Sequence, residues 1–168
     1  MKPSLKIPII QASLLQTHNM SFTAVVFPGQ GAQKNGMAKD FVQEYTQAAD
    51  VFTTANQILP FDVYQICHED DDLLNQTNYT QPCILTAEIA MYSALTAHHN
   101  LQAEFFAGHS LGEYAALVAA EVLPFEAALK IVARRGELMN QADEQGAMAA
   151  IIMDSIDLDD IGVIADRH

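Results

Sequence analysis

Apolar residues along this chain recur in two rhythms. Two short runs are of the length and kind that form buried strands: Thr23-Ala24-Val25-Val26-Phe27, and Ala103 to Ala107, interrupted only by Glu104. Elsewhere apolar side chains return every three or four positions, as on one face of a helix. Met37, Phe41, Tyr45, Ala48 and Phe52 predict a helix from Gly36 to about Gln57, with Pro60 ending the region. His68-Glu69-Asp70-Asp71-Asp72 reads as a solvated turn or helix start rather than a cation site. Thr80-Gln81-Pro82 predicts the next helix start, with Thr80 capping and Pro82 in the first turn. That helix, running to about Ala97, is apolar on most sides, which implies burial between other elements; Glu88 is its one inward charge. Pro124 opens a helix over about Phe125 to Gln141, Gly146 to Met153 is a strand candidate, and a short helical segment is predicted from Leu158 to Ala165. Strands alternating with helices predict an α/β fold with a largely parallel sheet. A strand and helix at the very end, with nothing to pair or cover them, suggest a unit cut short.

Spacing inside the helix at 125–141 separates two arginines. Ile131, Arg135, Leu138 and Ala142 share one stripe, whereas Lys130, Arg134, Glu137 and Gln141 share another. Arg134 therefore belongs to the polar face and Arg135 to the apolar one. A guanidinium directed inward needs an anionic or hydrogen-bonding partner. Glu88 is one such partner; the carboxylate of a substrate, gripped in bidentate fashion, is the other.

The second strand runs into Gly108-His109-Ser110-Leu111-Gly112, and a helix-forming segment follows directly. Strand, sharp turn and helix in that order lift a serine hydroxyl clear of the backbone at a helix N-terminus. Gly108 and Gly112 lack Cβ atoms, so strand and helix can approach closely. The helix directs its free N–H groups and positive dipole end at negative charge forming near Ser110. A plainer reading makes Ser110 and Glu113 a Ser-x-x-Glu capping box, although that needs neither glycine. Pro28-Gly29-Gln30-Gly31-Ala32-Gln33, after the first strand, is a glycine-bearing loop able to approach a ligand or a neighbouring loop.

Composition narrows the partners. Half of the 168 residues are apolar and 17% are charged, which suits a folded domain with a sizeable core. A formal charge of -13 with eight Lys and Arg argues against nucleic acid, whose phosphates demand clustered cations, and against an anionic membrane surface. Cys67 and Cys83 have no CxxC or ligand-like spacing and read as reduced thiols of a cytoplasmic protein. The six His are scattered, so no metal site is predicted. Residues 1–20 read as a poorly ordered extension. Lys2 and Lys6 ahead of Ile7-Pro8-Ile9-Ile10 imitate a signal peptide, but Gln11 and Gln16 break the apolar stretch and no small-residue cleavage site follows.

Five motifs in order carry a family resemblance: Phe27-Pro28-Gly29-Gln30-Gly31-Ala32-Gln33, Thr80-Gln81-Pro82, Gly108-His109-Ser110-Leu111-Gly112-Glu113-Tyr114, Arg135-Gly136-Glu137-Leu138-Met139 and Gly146-Ala147-Met148-Ala149-Ala150-Ile151. Over residues 22 to about 153 the chain resembles malonyl-CoA:acyl carrier protein transacylase and the similar acyltransferase domains of polyketide synthases. The resemblance implies an α/β-hydrolase-like large domain into which a small ferredoxin-like domain is inserted. Residues 21–144 then form the N-terminal part of the large domain, and 145–168 the incomplete start of the small one, with Gly146 to Met153 its first strand. It also implies transfer of malonyl from malonyl-CoA to the phosphopantetheine thiol of acyl carrier protein, in fatty acid or polyketide synthesis, with no bound cofactor.

Carried over position by position, the resemblance makes Ser110 the nucleophile and gives the oxyanion hole to the backbone N–H groups of Gln30 and Leu111. Arg135 corresponds to the arginine that holds the free carboxylate of malonate, and Gln81 to a substrate-binding residue. Leucine at 111 fits malonyl-type members, and His109 carries no proton-transfer role. The family's catalytic histidine lies in a Ser-His motif downstream of residue 168, and without a base a serine is a weak nucleophile. The expectation is therefore an N-terminal fragment of a longer enzyme, or a truncated and inactive relative; the 168 residues alone are expected to be inactive. A serine acyl hydrolase sharing the pentad, or a non-catalytic remnant, are the other readings. Docking an acidic carrier also demands a local basic patch on this acidic chain.

Overall fold

The structure, a computed structural model, describes residues 22–141. The predicted extension at 1–20, the strand and helix after Gly146 and the start of a small domain at 145–168 lie outside the described residues.

The elements follow in the order β1 (Ala24–Phe27), α1 (Lys39–Glu44), α2 (Thr46–Ile58), α3 (Val63–Glu69), α4 (Asp71–Leu74), α5 (Thr77–His99), β2 (Phe105–Gly108), α6 (Gly112–Ala119) and α7 (Phe125–Asn140). β1 and β2 pair in parallel, with Ala24 opposite Phe105 and Phe27 opposite Gly108. Parallel neighbours need a long crossover, here supplied by α1 to α5. The result is an α/β arrangement with a small parallel sheet, as the alternating pattern predicts.

α5 is the axis of the packing. Its residues from Thr80 to Ala90 are buried without interruption, and α2, α6 and α7 pack around it. Apolar residues on nearly every side make this possible, because such a helix has no face that prefers water. Leu85, Leu111, Leu129 and Val132 are fully buried and join Phe27 and Phe52 in one core. Each such leucine contributes about 2 kcal/mol relative to exposure.

Three departures from the sequence reading have identifiable causes. The helix predicted from Gly36 to about Gln57 is two helices, because Tyr45 between them is extended (φ -121°, ψ 121°). Its ring packs at a tilt against His98, 4.7 Å between centroids, and its hydroxyl meets His99 Nε2 at 3.3 Å, at the far end of α5. Its carbonyl accepts from the N–H groups of Ala48 and Ala49, so the backbone restarts as a helix cap. Next, α5 begins at Thr77, three residues before the predicted cap. The Thr80 hydroxyl does not accept from an N–H; it donates to the carbonyls of Leu74 (2.6 Å) and Gln76 (2.9 Å). Pro82 consequently lies inside the helix, where it removes one backbone donor. Finally, only part of the run from His68 to Asp72 is a solvated helix start. Asp70 caps α4 by accepting from the Leu73 N–H at 2.9 Å, but His68 is buried between the carbonyls of Tyr64 and Met37.

Glu88 is buried as predicted, and neither of its carboxyl oxygens has a hydrogen-bond partner among the described residues. Burial pushes its carboxyl up from the usual 4.5 to about 8. Between those values the folded state holds a proton that the unfolded state has lost. The stabilisation is thus complete below pH 4.5 and disappears as pH rises through about 8. Urea unfolding of the full-length protein is expected to lose about 3–5 kcal/mol across that window. Glu88→Gln should flatten the dependence; an unchanged slope in that variant would show that Glu88 is not its source.

Candidate active site

β1 and β2 end side by side, and the chain turns sharply where β2 gives way to α6. The His109 N–H donates to the Phe27 carbonyl (3.0 Å), extending the ladder by one bond, and the Gly112 N–H returns to the His109 carbonyl (3.0 Å). Ser110 sits at the apex in the left-handed region, with φ 54°. For a non-glycine residue that conformation costs about 1–2 kcal/mol. The two glycines are sterically required: a Cβ on Gly108 would lie 2.0 Å from the Gly112 carbonyl carbon, and one on Gly112 would lie 2.2 Å from the Phe27 carbonyl oxygen. Ser110 is exposed as a result, while Leu111 beneath it is fully buried. The capping box of the plainer reading does not form. Leu111 is the N-cap of α6, without a side-chain cap bond, and the Ser110 hydroxyl faces elsewhere.

It faces Arg135. The guanidinium donates through Nη2 to Ser110 Oγ at 3.1 Å and through Nη1 to Gln81 Oε1 at 2.6 Å. α7 can bring it there because Gly136 presses on the first turn of α5, where a Cβ would lie 2.9 Å from the Thr77 carbonyl oxygen. Of the two partners left open by the sequence, Glu88 is not used. Arginine has only donors, so Ser110 Oγ is the acceptor and its own proton stays free for another group.

The stripe that carries Arg135 is apolar but does not face the core. Ile131 and Leu138 are 45% and 52% exposed, and α7 buries Ala128, Leu129, Val132 and Gly136 instead. Ile131, Leu138 and Met139 line an open groove of about 570 Å³ together with Lys130, Arg134 and Arg135. Arg134 is exposed and pairs with Glu137 at 2.8 Å, as its polar position predicts.

The loop after β1 closes the other side. A Cβ on Gly29 would lie 2.6 Å from the His109 carbonyl oxygen, so the loop is packed directly on the serine turn. Gln30 accepts through Oε1 from Gln81 Nε2 (3.3 Å) and donates through Nε2 to Thr77 Oγ1 (3.1 Å). Neither the Gln30 nor the Leu111 backbone N–H donates to another backbone group among the described residues. Ser110, Arg135, Gln81 and Gln30 are therefore linked side chain to side chain. His109 makes no side-chain hydrogen bond to Ser110. Thr77 joins the set without having been singled out in the sequence; its one legible signal is a position one helical turn before Gln81.

Among the described residues, no group of three or more His, Cys, Asp and Glu is placed to hold a metal ion. No described helix is long and apolar enough to cross a membrane.

Residues 24–163 match the acyl transferase domain family. A malonyl CoA-acyl carrier protein transacylase of Staphylococcus aureus is 47% identical over 148 residues, covering 86% of this chain and 46% of that protein. The solved malonyl CoA-acyl carrier protein transacylase of Clostridium perfringens superposes with a TM-score of 0.71 at 35% identity, over 75% of this chain and 40% of that one. A malonyl-transacylase in complex with its type II PKS acyl carrier protein superposes with a TM-score of 0.69 at 37% identity, over 72% of this chain and 40% of that one. The chain thus spans less than half the length of these relatives.

Proposed function

Because the chain belongs to the acyl transferase domain family, we propose that it is the nucleophile-bearing portion of a malonyl-CoA:acyl carrier protein transacylase. The observation that carries this reading is the Arg135 guanidinium 3.1 Å from Ser110 Oγ. A cation beside the attacking oxygen suits an acyl group with a free carboxylate. A hydrolase of uncharged esters has no use for it.

In the first half-reaction Ser110 Oγ attacks the thioester carbonyl of malonyl-CoA. The C–S bond breaks, the thiol of coenzyme A leaves with the serine proton, and a malonyl ester remains on Ser110. In the second, the phosphopantetheine thiol of the carrier attacks that ester, the C–O bond breaks and the proton returns to serine. The backbone N–H groups of Gln30 and Leu111 stabilise the tetrahedral oxyanion in both halves; that neither donates to another backbone group among the described residues supports this. Arg135 holds the malonyl carboxylate and Gln81 holds Arg135. No described residue is assigned as the base that relays the serine proton. No bound cofactor takes part: coenzyme A and the phosphopantetheinyl carrier are substrates.

Residues 21–144 then belong to an α/β-hydrolase-like large domain and 145–168 to the start of a ferredoxin-like small domain, in a cytoplasmic enzyme of fatty acid or polyketide synthesis. Support for an acidic carrier partner comes from α7. Of five Lys and Arg among the described residues, three (Lys130, Arg134, Arg135) line its groove.

The test is mass spectrometry of the full-length protein after incubation with malonyl-CoA. A malonyl adduct on Ser110, stable until carrier protein is added, is expected. Rapid loss of the adduct to water identifies a hydrolase, and no adduct identifies a non-catalytic remnant. Arg135→Ala should lower malonyl transfer by about 10²-fold, the scale of a lost charge-assisted bidentate pair, and leave acetyl transfer nearly unchanged. Equal losses remove its assigned role.

A further inference from the structure

The polar groups behind Arg135 form one chain whose direction is fixed at its guanidinium end. A guanidinium only donates, so the Gln81 atom 2.6 Å from Arg135 Nη1 must be the carbonyl oxygen. That turns the Gln81 amide nitrogen toward Gln30, 3.3 Å away, where only the Gln30 carbonyl oxygen accepts. The Gln30 amide nitrogen is thereby directed at Thr77 Oγ1, 3.1 Å away, an oxygen that can receive it. Gln81 is 0% exposed, so water cannot compensate a flipped amide there. Its nitrogen also rests on Met139 Sδ at 3.2 Å, a weak acceptor that adds little. Thr77 is not otherwise engaged as a cap, because Gln76 occupies the N-cap of α5.

We infer that Thr77 is a positioning residue for Arg135. Its hydroxyl oxygen accepts the last N–H of that chain and so anchors the Gln30 and Gln81 amides in the orientation the guanidinium requires, which tunes the affinity for acyl groups bearing a free carboxylate. The turn that carries it is also the turn against which Gly136 seats α7, so one place governs both where Arg135 starts and where its head points. This inference rests on the reading of Arg135 as the carboxylate holder.

Full-length Thr77→Val and Thr77→Ser test it, with kcat and KM measured for malonyl-CoA and for acetyl-CoA. Valine keeps the shape and removes the acceptor; serine keeps the acceptor. Thr77→Val should raise KM for malonyl-CoA about tenfold, the size of one lost hydrogen bond, with kcat and acetyl-CoA kinetics within about twofold. Thr77→Ser should restore the wild-type values. Unchanged malonyl KM in Thr77→Val, or equal losses on both acyl groups, overturns the inference. Should Thr77→Val not fold, Thr77→Ala removes the same acceptor with a smaller side chain and must give the same selective rise; its absence overturns the inference equally. Arg135→Ala in the same assay keeps the two levels apart. If it fails to discriminate malonyl from acetyl, the carboxylate reading fails; if it discriminates and Thr77→Val does not, only the relay fails.

Discussion

Ser110→Ala in the full-length protein should abolish acyl transfer and leave the fold intact. The Ser110 side chain is exposed, caps no helix and makes one side-chain hydrogen bond among the described residues, to Arg135. Alanine must adopt the same φ of 54°, and its Cβ meets the same left-handed penalty that serine already bears. Stability should therefore change by less than about 1 kcal/mol in urea unfolding, as for an exposed position without a special contact. Transfer, in contrast, should fall on the order of 10⁴-fold or more, because the proposed mechanism gives the acyl ester no other carrier. Malonyl-CoA should leave no mass adduct on the variant. An adduct that survives the substitution places the nucleophile elsewhere and removes the basis of the proposed mechanism.

That separation of chemistry from folding explains which parts of the molecule were legible in the sequence. The serine turn was readable because its requirements are local: glycines at 108 and 112 matter through atoms within a few residues or on the adjoining strand. β1, β2, α6 and α7 were readable for the same reason, each from its own short pattern. Periodicity failed where a distant partner decides. Tyr45 keeps the helical rhythm of its neighbours yet breaks the helix, because the histidines at the end of α5 hold its ring. Thr80-Gln81-Pro82 looks like a start, but the Thr80 hydroxyl is drawn back to carbonyls of the preceding turn and the true start is Thr77. Ile131 and Leu138 obey an apolar stripe without being core, since a stripe states what a face dislikes and not what covers it. Arg135 shows both limits at once. Its separation from the polar face of Arg134 was legible; that its stripe lines an open groove and not the core, and its choice of Ser110 and Gln81 over Glu88, needed elements placed in space.

The second large effect is expected from a single methyl group. Gly108→Ala should destabilise the full-length protein by more than about 4 kcal/mol, the range reserved for a specific steric or core failure. The added Cβ would lie 2.0 Å, 2.1 Å and 2.2 Å from the Gly112 carbonyl carbon, its oxygen and the Glu113 nitrogen, all of them backbone atoms in the first turn of α6. No rotamer relieves a clash with backbone. Nor can α6 slide away, because Gly112 itself is pressed against the carbonyl oxygens of Phe27 and Pro28, where its own Cβ would come within 2.2 Å and 2.5 Å. Relief requires either unpairing β2 from β1 or lifting α6 from the sheet, and lifting α6 draws the buried Leu111, Ala115 and Ala119 out of the core. Against a total stability of roughly 5–15 kcal/mol, a loss of that size leaves little folded protein at 37 °C. Gly31→Ala is the contrast: its φ of 107° disfavours a side chain, but nothing lies within 4 Å of the new Cβ, so it should cost only about 1–2 kcal/mol. Urea unfolding of both variants decides the matter. If Gly108→Ala proves as mild as Gly31→Ala, strand and helix are not in contact at this turn, and the geometry that holds Ser110 beside Arg135 must have another cause.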